Sequence, residues 1–321
     1  MPLIQNSTYR PPWWLRNGHL ATVIPSIFRK IEGVDYKRER IITPDQDFID
    51  LDWLRKGSER LVVLMHGLEG DSQRSYMKGM AKYFHDEAWD VVAYNCRGCS
   101  GEVNKQPRLY HHGDTVDVHT VITHLNDRYD YKEIVLIGFS MGGSLILNYL
   151  GNGEHETPDI IKSAIVYSVP CDLKASAMKL SRSGNGFYRK RFLKKLASKI
   201  QQKAEQFPEL ISVDGVEEIE SFDEFETKYT APLHGFESAD AFYGYATANN
   251  YLKNIQTPTL IVNAANDPLF SEACYPVDQV SSLSNVFLEI PKHGGHVGFS
   301  KSSLDQNWME ERALAFINDL Q

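Results

Sequence analysis

"IVLIGFSMGGSLILNYL", residues 134–150, runs from a nearly unbroken apolar stretch through a glycine-rich turn into an apolar helical pattern. The stretch before the turn, Glu133 to Ser140, is β-branched and of strand length. A strand that is apolar on both sides is one buried on both faces, as in a parallel sheet. Gly138-Phe139-Ser140-Met141-Gly142 fits the spacing G-x-S-x-G, and the elements this motif requires stand on either side of it. A sharp strand-to-helix turn forces the serine into a strained backbone, and the glycines two residues away let strand and helix approach. Such a turn lifts the Ser140 hydroxyl out of the sheet and aims the Met141 N–H at the space above it. Ser140 is therefore the candidate nucleophile, the alternative being a tight packing turn.

The same rhythm extends in both directions. "LVVLMH" (61–66), "DVVAYN" (90–95), "SAIVYSV" (163–169), "TLIVNA" (259–264) and "NVFLEI" (285–290) are further buried-strand runs. Between them, residues 76–87, 115–128 and 141–150 carry helical patterns, and 307–320 closes the chain with another. "RERIITP" and "FIDLDWL" predict an antiparallel start. The expected fold class is α/β: a mostly parallel, eight-stranded sheet flanked by helices. The strand rhythm breaks between residues 171 and 250, a charged and aromatic stretch that predicts a helical lid inserted over the sheet ends. The expected organisation is an N-terminal arm (1–35) packed on the core, a core of 36–170 and 251–321, and a lid of 171–250. Trp13, Trp14 and Leu15 are expected to pack on the body as part of that arm.

Composition narrows the function. The chain has 321 residues, 42% hydrophobic and 24% charged, the profile of an ordinary globular protein. A net charge of -8 repels phosphate backbones, so nucleic acid is not an expected partner. The basic run "YRKRFLKKLASKIQQK" (188–203) has helical apolar spacing and predicts the solvated face of an amphipathic helix. Four cysteines in so long a chain make no disulfide framework and suggest a reducing, cytoplasmic setting. The pair Cys96 and Cys99 forms a CxxC without a second one, which reads as incidental thiols. No leader pattern and no apolar run of about 18 residues occurs, so neither secretion nor a membrane-spanning helix is expected.

A serine hydroxyl needs a base to take its proton, and the base needs a carboxylate to fix its tautomer. Asp267, just past the strand "TLIVNA", and His296, in "PKHGGHVGFS" after the last strand, supply both in the order Ser, Asp, His. In an open α/β sheet these strand ends share one edge. His296 is preferred to His293 because Gly294-Gly295 let its backbone bend toward the serine. Asp278, Asn263 and Asn266 are the weaker alternatives to Asp267. Upstream, "VVLMHGLEGDS" ends a strand in His66-Gly67. The Leu68 N–H is the candidate second oxyanion donor beside that of Met141, Gly67 allows close approach of a ligand, and His66 is read as a structural hydrogen-bonder beneath the loop. Gly67, Phe139, Phe236 and Val297 are candidate substrate-contacting residues. Aromatic residues of the 171–250 stretch, including Phe187, Phe242 and Tyr243, suggest an apolar acyl or alkyl group. Arg97, in "NCRGCSGE", is expected to pair with Glu102 more than to meet an acidic substrate.

"WWLRNGHLATVIPSIFR", "HGLEG", "YNCRGCSGE", "RLYHHGDTVD", "GFSMGG", "TAPLHGF", "NAANDP" and "GGHVGF" stand in this order along the chain. With these segments the chain resembles the YheT-like branch of the α/β-hydrolases, akin to eukaryotic abhydrolase-domain lipid hydrolases and acyltransferases. The resemblance implies an α/β-hydrolase fold and a serine esterase. It puts Ser140, Asp267 and His296 at the catalytic positions, with a small-molecule or lipid-like ester as substrate and no metal or organic cofactor. It leaves open an acyltransferase passing the acyl group to an alcohol or thiol, or a non-catalytic binding protein on the same fold. Relatives also carry a His followed five residues later by Asp. His112 and Asp117 fit this, but so do His66 with Asp71 and His85 with Asp90. Asp117 reads instead as a helix-opening carboxylate.

Overall fold

The structure, a computed structural model, describes residues 2–182 and 184–320. Among these residues nine strands form one sheet: β1 (Leu3–Ile4), β2 (Lys37–Ile42), β3 (Phe48–Leu54), β4 (Arg60–Met65), β5 (Asp90–Asn95), β6 (Glu133–Phe139), β7 (Ile161–Tyr167), β8 (Thr259–Val262) and β9 (Val286–Glu289). Their spatial order is β1-β9-β8-β7-β6-β4-β5-β3-β2. Only the β2/β3 and β3/β5 pairs are antiparallel. The expected count of eight strands is short by one. The extra strand, β1, is two residues long and pairs parallel to β9 through Leu3 and Ile4; two residues are too few to show alternation in a sequence.

Among the described residues eleven α-helices accompany the sheet: α1 (Gly18–Phe28), α2 (Ser75–Asp86), α3 (Thr115–Arg128), α4 (Met141–Gly151), α5 (Leu173–Ser181), α6 (Gly186–Gln206), α7 (Phe222–Phe225), α8 (Ala231–His234), α9 (Ala239–Ala246), α10 (Val277–Val280) and α11 (Trp308–Asp319). The apolar runs resolve into two cores on opposite faces of the sheet. Leu61, Val63 and Met65 of β4 join the core shared with α3, α4 and the 173–250 helices. Val62 and Leu64 face the core shared with α2 and α11. No helix among the described residues is long and apolar enough to cross a membrane.

Some local readings change. Leu15 is fully buried, but Trp13 is 80% exposed, so the Trp-Trp-Leu turn is only partly packed. The basic helix α6 is less solvated than its pattern suggested. The Lys199 ammonium lies 2.8 Å from the Glu69 carboxylate. Lys203 is fully buried and donates to the carbonyls of Asn104 and Gln106. Their long stems pack along apolar surface and carry the charge to partners that are remote in sequence.

Arg97 does not pair with Glu102, which lies 2.8 Å from Arg40 instead. Its buried guanidinium meets Asp45 at 2.9 Å, Asp47 at 2.8 Å and Asp117 at 2.6 Å. Arg108 adds a second cation to Asp117 at 3.0 Å. Asp117 is thus the buried counter-ion of two arginines, not merely a helix-opening carboxylate.

Candidate active site

The turn between β6 and α4 carries Ser140 at φ 54° and ψ -119°, a strained conformation for a residue with a side chain. The flanking glycines make the turn possible. A Cβ on Gly138 would sit 2.5 Å from the Gly142 carbonyl oxygen, and one on Gly142 would strike the Met65 carbonyl at the end of β4. Ser140 N–H donates to the Tyr167 carbonyl at 2.8 Å, which fixes the serine above the sheet.

Facing it, His296 Nε2 lies 2.9 Å from Ser140 Oγ. His296 Nδ1 lies 2.8 Å from Asp267 Oδ2. A carboxylate only accepts, so Nδ1 carries the proton and Nε2 is left to accept from the hydroxyl. Asp267 Oδ1 accepts from the Leu269 N–H at 2.9 Å, which holds the carboxylate edge toward the imidazole. The three side chains come from the ends of β6, β8 and β9, and the structure brings them into one line. His293 is not part of it; its Nδ1 meets the Arg16 carbonyl at 3.0 Å. Asn263 is occupied by the Val169 N–H and carbonyl and by the Cys274 carbonyl. Asp278 lies in the short helix α10.

Of the four amides from Gly67 to Gly70 in the loop after β4, one is left over. Gly67 N–H donates to Tyr76 Oη at 3.1 Å, Glu69 N–H to Tyr110 Oη at 2.9 Å, and Gly70 N–H to the Gly67 carbonyl at 2.9 Å. Among the described residues the Leu68 N–H has no acceptor. Neither has the Met141 N–H at the start of α4, whereas those of Gly143 and Ser144 donate to the Ser140 carbonyl. His66 beneath the loop is fully buried, spans the Gly67 carbonyl and the Cys96 N–H, and is lowered by burial to about 4. It stays neutral, a structural hydrogen-bonder as the sequence predicts.

The loop that carries the imidazole is tied to the N-terminal segment, which the sequence did not reveal. His296 N–H donates to Thr22 Oγ1 on α1 at 2.9 Å. Gly295 N–H donates to Asn266 Oδ1 at 3.0 Å, and Asn266 in turn donates to the Arg16 carbonyl at 2.9 Å. Val297 N–H donates to Ser168 Oγ at 2.9 Å. The segment "RNGHLATV" lies nearly the whole chain away from "GGHVGF", and only a contact map could have linked them.

Two cavities meet at Ser140. One, with about 910 Å³ of unfilled space, runs beneath α5 to α9 between apolar side chains such as Leu173, Phe192, Phe225, Tyr229 and Leu269. The other, about 1080 Å³, opens between α1, α6 and the loop after β4, and includes Gly67 and Val297. Both contain Leu68, Ser140 and His296. Two expected substrate contacts fall outside them. Phe139 is fully buried between Tyr76 and Tyr167, its ring centroid 4.8 Å and 5.8 Å from theirs, because its side chain points to the opposite face of β6 from the site. Phe236 packs against His111, Phe242 and Tyr245 at the outer end of the helical segment. His112 lines the apolar cavity but meets Ser144 Oγ at 3.2 Å, while Asp117 is held by the arginines, so these two do not form a pair. Burial lowers His112 to about 3.

Residues 60–302 match the family described as the alpha/beta hydrolase fold. A protein of Escherichia coli named "Putative esterase YheT" is 30% identical over 305 residues, spanning 92% of this chain and 88% of that one. A Bos taurus protein named phospholipase ABHD3 is 30% identical over 306 residues, spanning 92% of this chain and 74% of its own length. Among solved structures, the Pyrococcus furiosus esterase Pf2001 superposes with a TM-score of 0.60 at 19% identity, covering 89% of this chain and 91% of that one. An α/β architecture with a serine at the strand-to-helix turn defines the class. The chain belongs to the α/β-hydrolase family, in the branch of the YheT-like and abhydrolase-domain proteins. Relatives with these names support hydrolytic activity on esters or lipids.

Proposed function

We propose that the protein is a serine hydrolase of carboxylic esters working through an acyl-enzyme. The observation that carries this reading is the continuous hydrogen-bonded line from Ser140 Oγ through His296 to Asp267. His296 Nε2 takes the hydroxyl proton as Oγ adds to the ester carbonyl carbon. The Leu68 and Met141 N–H groups receive the developing oxyanion; each such donor is worth about 10²–10³ in rate. The imidazolium, stabilised by the Asp267 carboxylate, returns its proton to the departing alcohol as the carbon–oxygen bond breaks. Water, deprotonated by the same imidazole, then releases the acid. The apolar cavity suits an acyl or alkyl chain.

In this reading residues 171–250 act as a lid over that chain and residues 1–35 as an arm that secures the histidine loop. Four free thiols, three of them buried, support a reducing, cytoplasmic location.

The test is labelling with a fluorophosphonate, the adduct located by peptide mass spectrometry, alongside turnover of p-nitrophenyl esters from acetate to palmitate. Labelling at Ser140 that disappears in Ser140→Ala and slows in His296→Ala is the expected result. A folded wild-type protein that neither labels nor turns over any ester overturns the proposal.

A further inference from the structure

The two cavities that meet at Ser140 differ in chemistry. The one under the helical segment is mainly apolar beside the nucleophile. The other has cations on its wall: Arg74 from the start of α2, and Arg191 and Lys195 from α6. Phe187, Arg191 and Lys195 are spaced i, i+4, i+8, so one face of α6 looks into this cavity and presents an aromatic ring and two positive charges in a row.

The counter-charges are few. Glu69 is taken by Lys199 at 2.8 Å and by the Tyr110 hydroxyl at 2.5 Å. Arg29, also on this wall, is taken by Glu310 at 2.5 Å. Asp71 approaches Arg74 only to 3.8 Å. Among the described residues, Arg191 and Lys195 form no ion pair. Lys195 spends its one hydrogen bond on the Glu69 carbonyl at 2.9 Å, which draws the ammonium toward the loop that holds Leu68. Burial lowers the Lys195 pKa and the charges of Arg74 and Arg191 lower it further, against the opposing pull of Glu69 and Asp71. A local cluster of like charges beside a cavity carries a repulsion that an anion would relieve, against the chain's overall negative charge.

We propose that this second cavity is an anion subsite for the alcohol side of the ester: Arg74, Arg191 and Lys195 hold a phosphate or carboxylate borne by the leaving group while the acyl chain lies in the apolar cavity. The assignment rests on the serine hydrolase reading for the position of the scissile bond. The subsite itself is defined by the cations and can be tested by binding alone. Arg191 is its specificity-determining residue, because Arg74 and Lys195 also donate to the Glu69 carbonyl and help position the loop.

The experiment has a kinetic and a binding arm, both at low ionic strength and with soluble monomeric ligands. In the kinetic arm, kcat/KM is compared within two pairs: monooctanoylglycerol phosphate against monooctanoylglycerol, and octanoyl para-hydroxybenzoate against its methyl ester. The anionic member of at least one pair is expected to lead by about tenfold, the scale of one or two charge-assisted contacts in a part-solvated site. Arg191→Glu should erase that ratio, and Arg191→Lys should retain most of it. A lead in the phosphate pair alone, or in the carboxylate pair alone, supports the proposal and names the source of the anion.

In the binding arm, octyl phosphate and octanol are titrated against Ser140→Ala. Octyl phosphate should bind about tenfold more tightly, with the difference lost in Arg191→Glu. Equal binding and equal turnover of charged and neutral partners overturn the subsite while leaving the hydrolase reading intact. A preference that survives Arg191→Glu in a folded protein overturns it too. If Ser140 fails to label and no ester turns over, the hydrolase reading falls and the octyl phosphate titration alone decides the subsite.

Discussion

Replacing Thr22 by valine tests whether the N-terminal helix sets the geometry of the reaction. Valine matches threonine in shape but removes the oxygen that accepts the His296 N–H at 2.9 Å. The amide left behind is partly buried, and an orphaned buried donor costs about 1–3 kcal/mol. Part of that cost is recovered if the loop shifts to find water, and the shift carries the imidazole away from Ser140. If about 1–2 kcal/mol of misalignment appears in the transition state, kcat falls by roughly 5- to 30-fold. KM should change less than kcat, since valine keeps the shape that Thr22 presents to the second cavity and alters chiefly its bond to the histidine loop. Thr22→Ser keeps the acceptor and should keep most of the rate. The assay is p-nitrophenyl butyrate turnover, with fluorophosphonate labelling rate as a second readout and circular dichroism as the folding control. A folded Thr22→Val protein with kcat within twofold of wild type would refute the argument that α1 positions the base.

Asp267→Asn should lower kcat by about 10³–10⁴ with the fold intact, because an amide that donates to Nδ1 fixes the wrong tautomer; steady-state kinetics decide it, and a loss under tenfold speaks against the assignment. Arg97→Ala leaves Asp47 and Asp117 buried against fewer cations and should cost about 3–5 kcal/mol, a fall of roughly 4–7 °C in Tm by differential scanning calorimetry. Glu226, whose Oε2 has no hydrogen-bond partner, lines the apolar cavity and is raised by burial to about 7. A carboxyl raised in the folded state binds its proton there more tightly than in the unfolded chain. Its favourable contribution is therefore full below the unfolded value of about 4.5 and is lost as pH rises through about 7. Glu226→Gln should accordingly gain stability over wild type between pH 5 and 8, measured by denaturant unfolding, and no pH-dependent difference would sink this account.

The strands and the three side chains that the structure brings together at Ser140 could be read in sequence because their signals are local. A β-branched run announces a buried strand, and a glycine two places either side of Ser140 announces a turn that no Cβ would tolerate. Asp267 and His296 follow because each sits just past the end of such a run. Partnerships between remote charges were not legible. Nothing near Arg97 in the chain says that Asp45 and Asp47, half a hundred positions upstream, will face it across the β2–β3 turn. The basic helix misled in the same way, since an amphipathic pattern records which face is apolar but not which lysines find buried carboxylates or carbonyls. The two-residue strand β1 has too few residues to register any period. Phe139 shows the limit of proximity in sequence: a neighbour of Ser140 on a strand points to the other face of the sheet.

The hydrogen bond between Thr22 and His296 spans 274 residues of a 321-residue chain. Closing so long a loop is entropically expensive, so contacts of this kind form after local structure is in place. During synthesis the partner on α1 emerges early and waits until almost all the remaining chain has been made. The nucleophile can sit in its finished turn long before the base is in position. On the proposed mechanism, Ser140 would gain its reactivity only once the two distant ends of the fold have met.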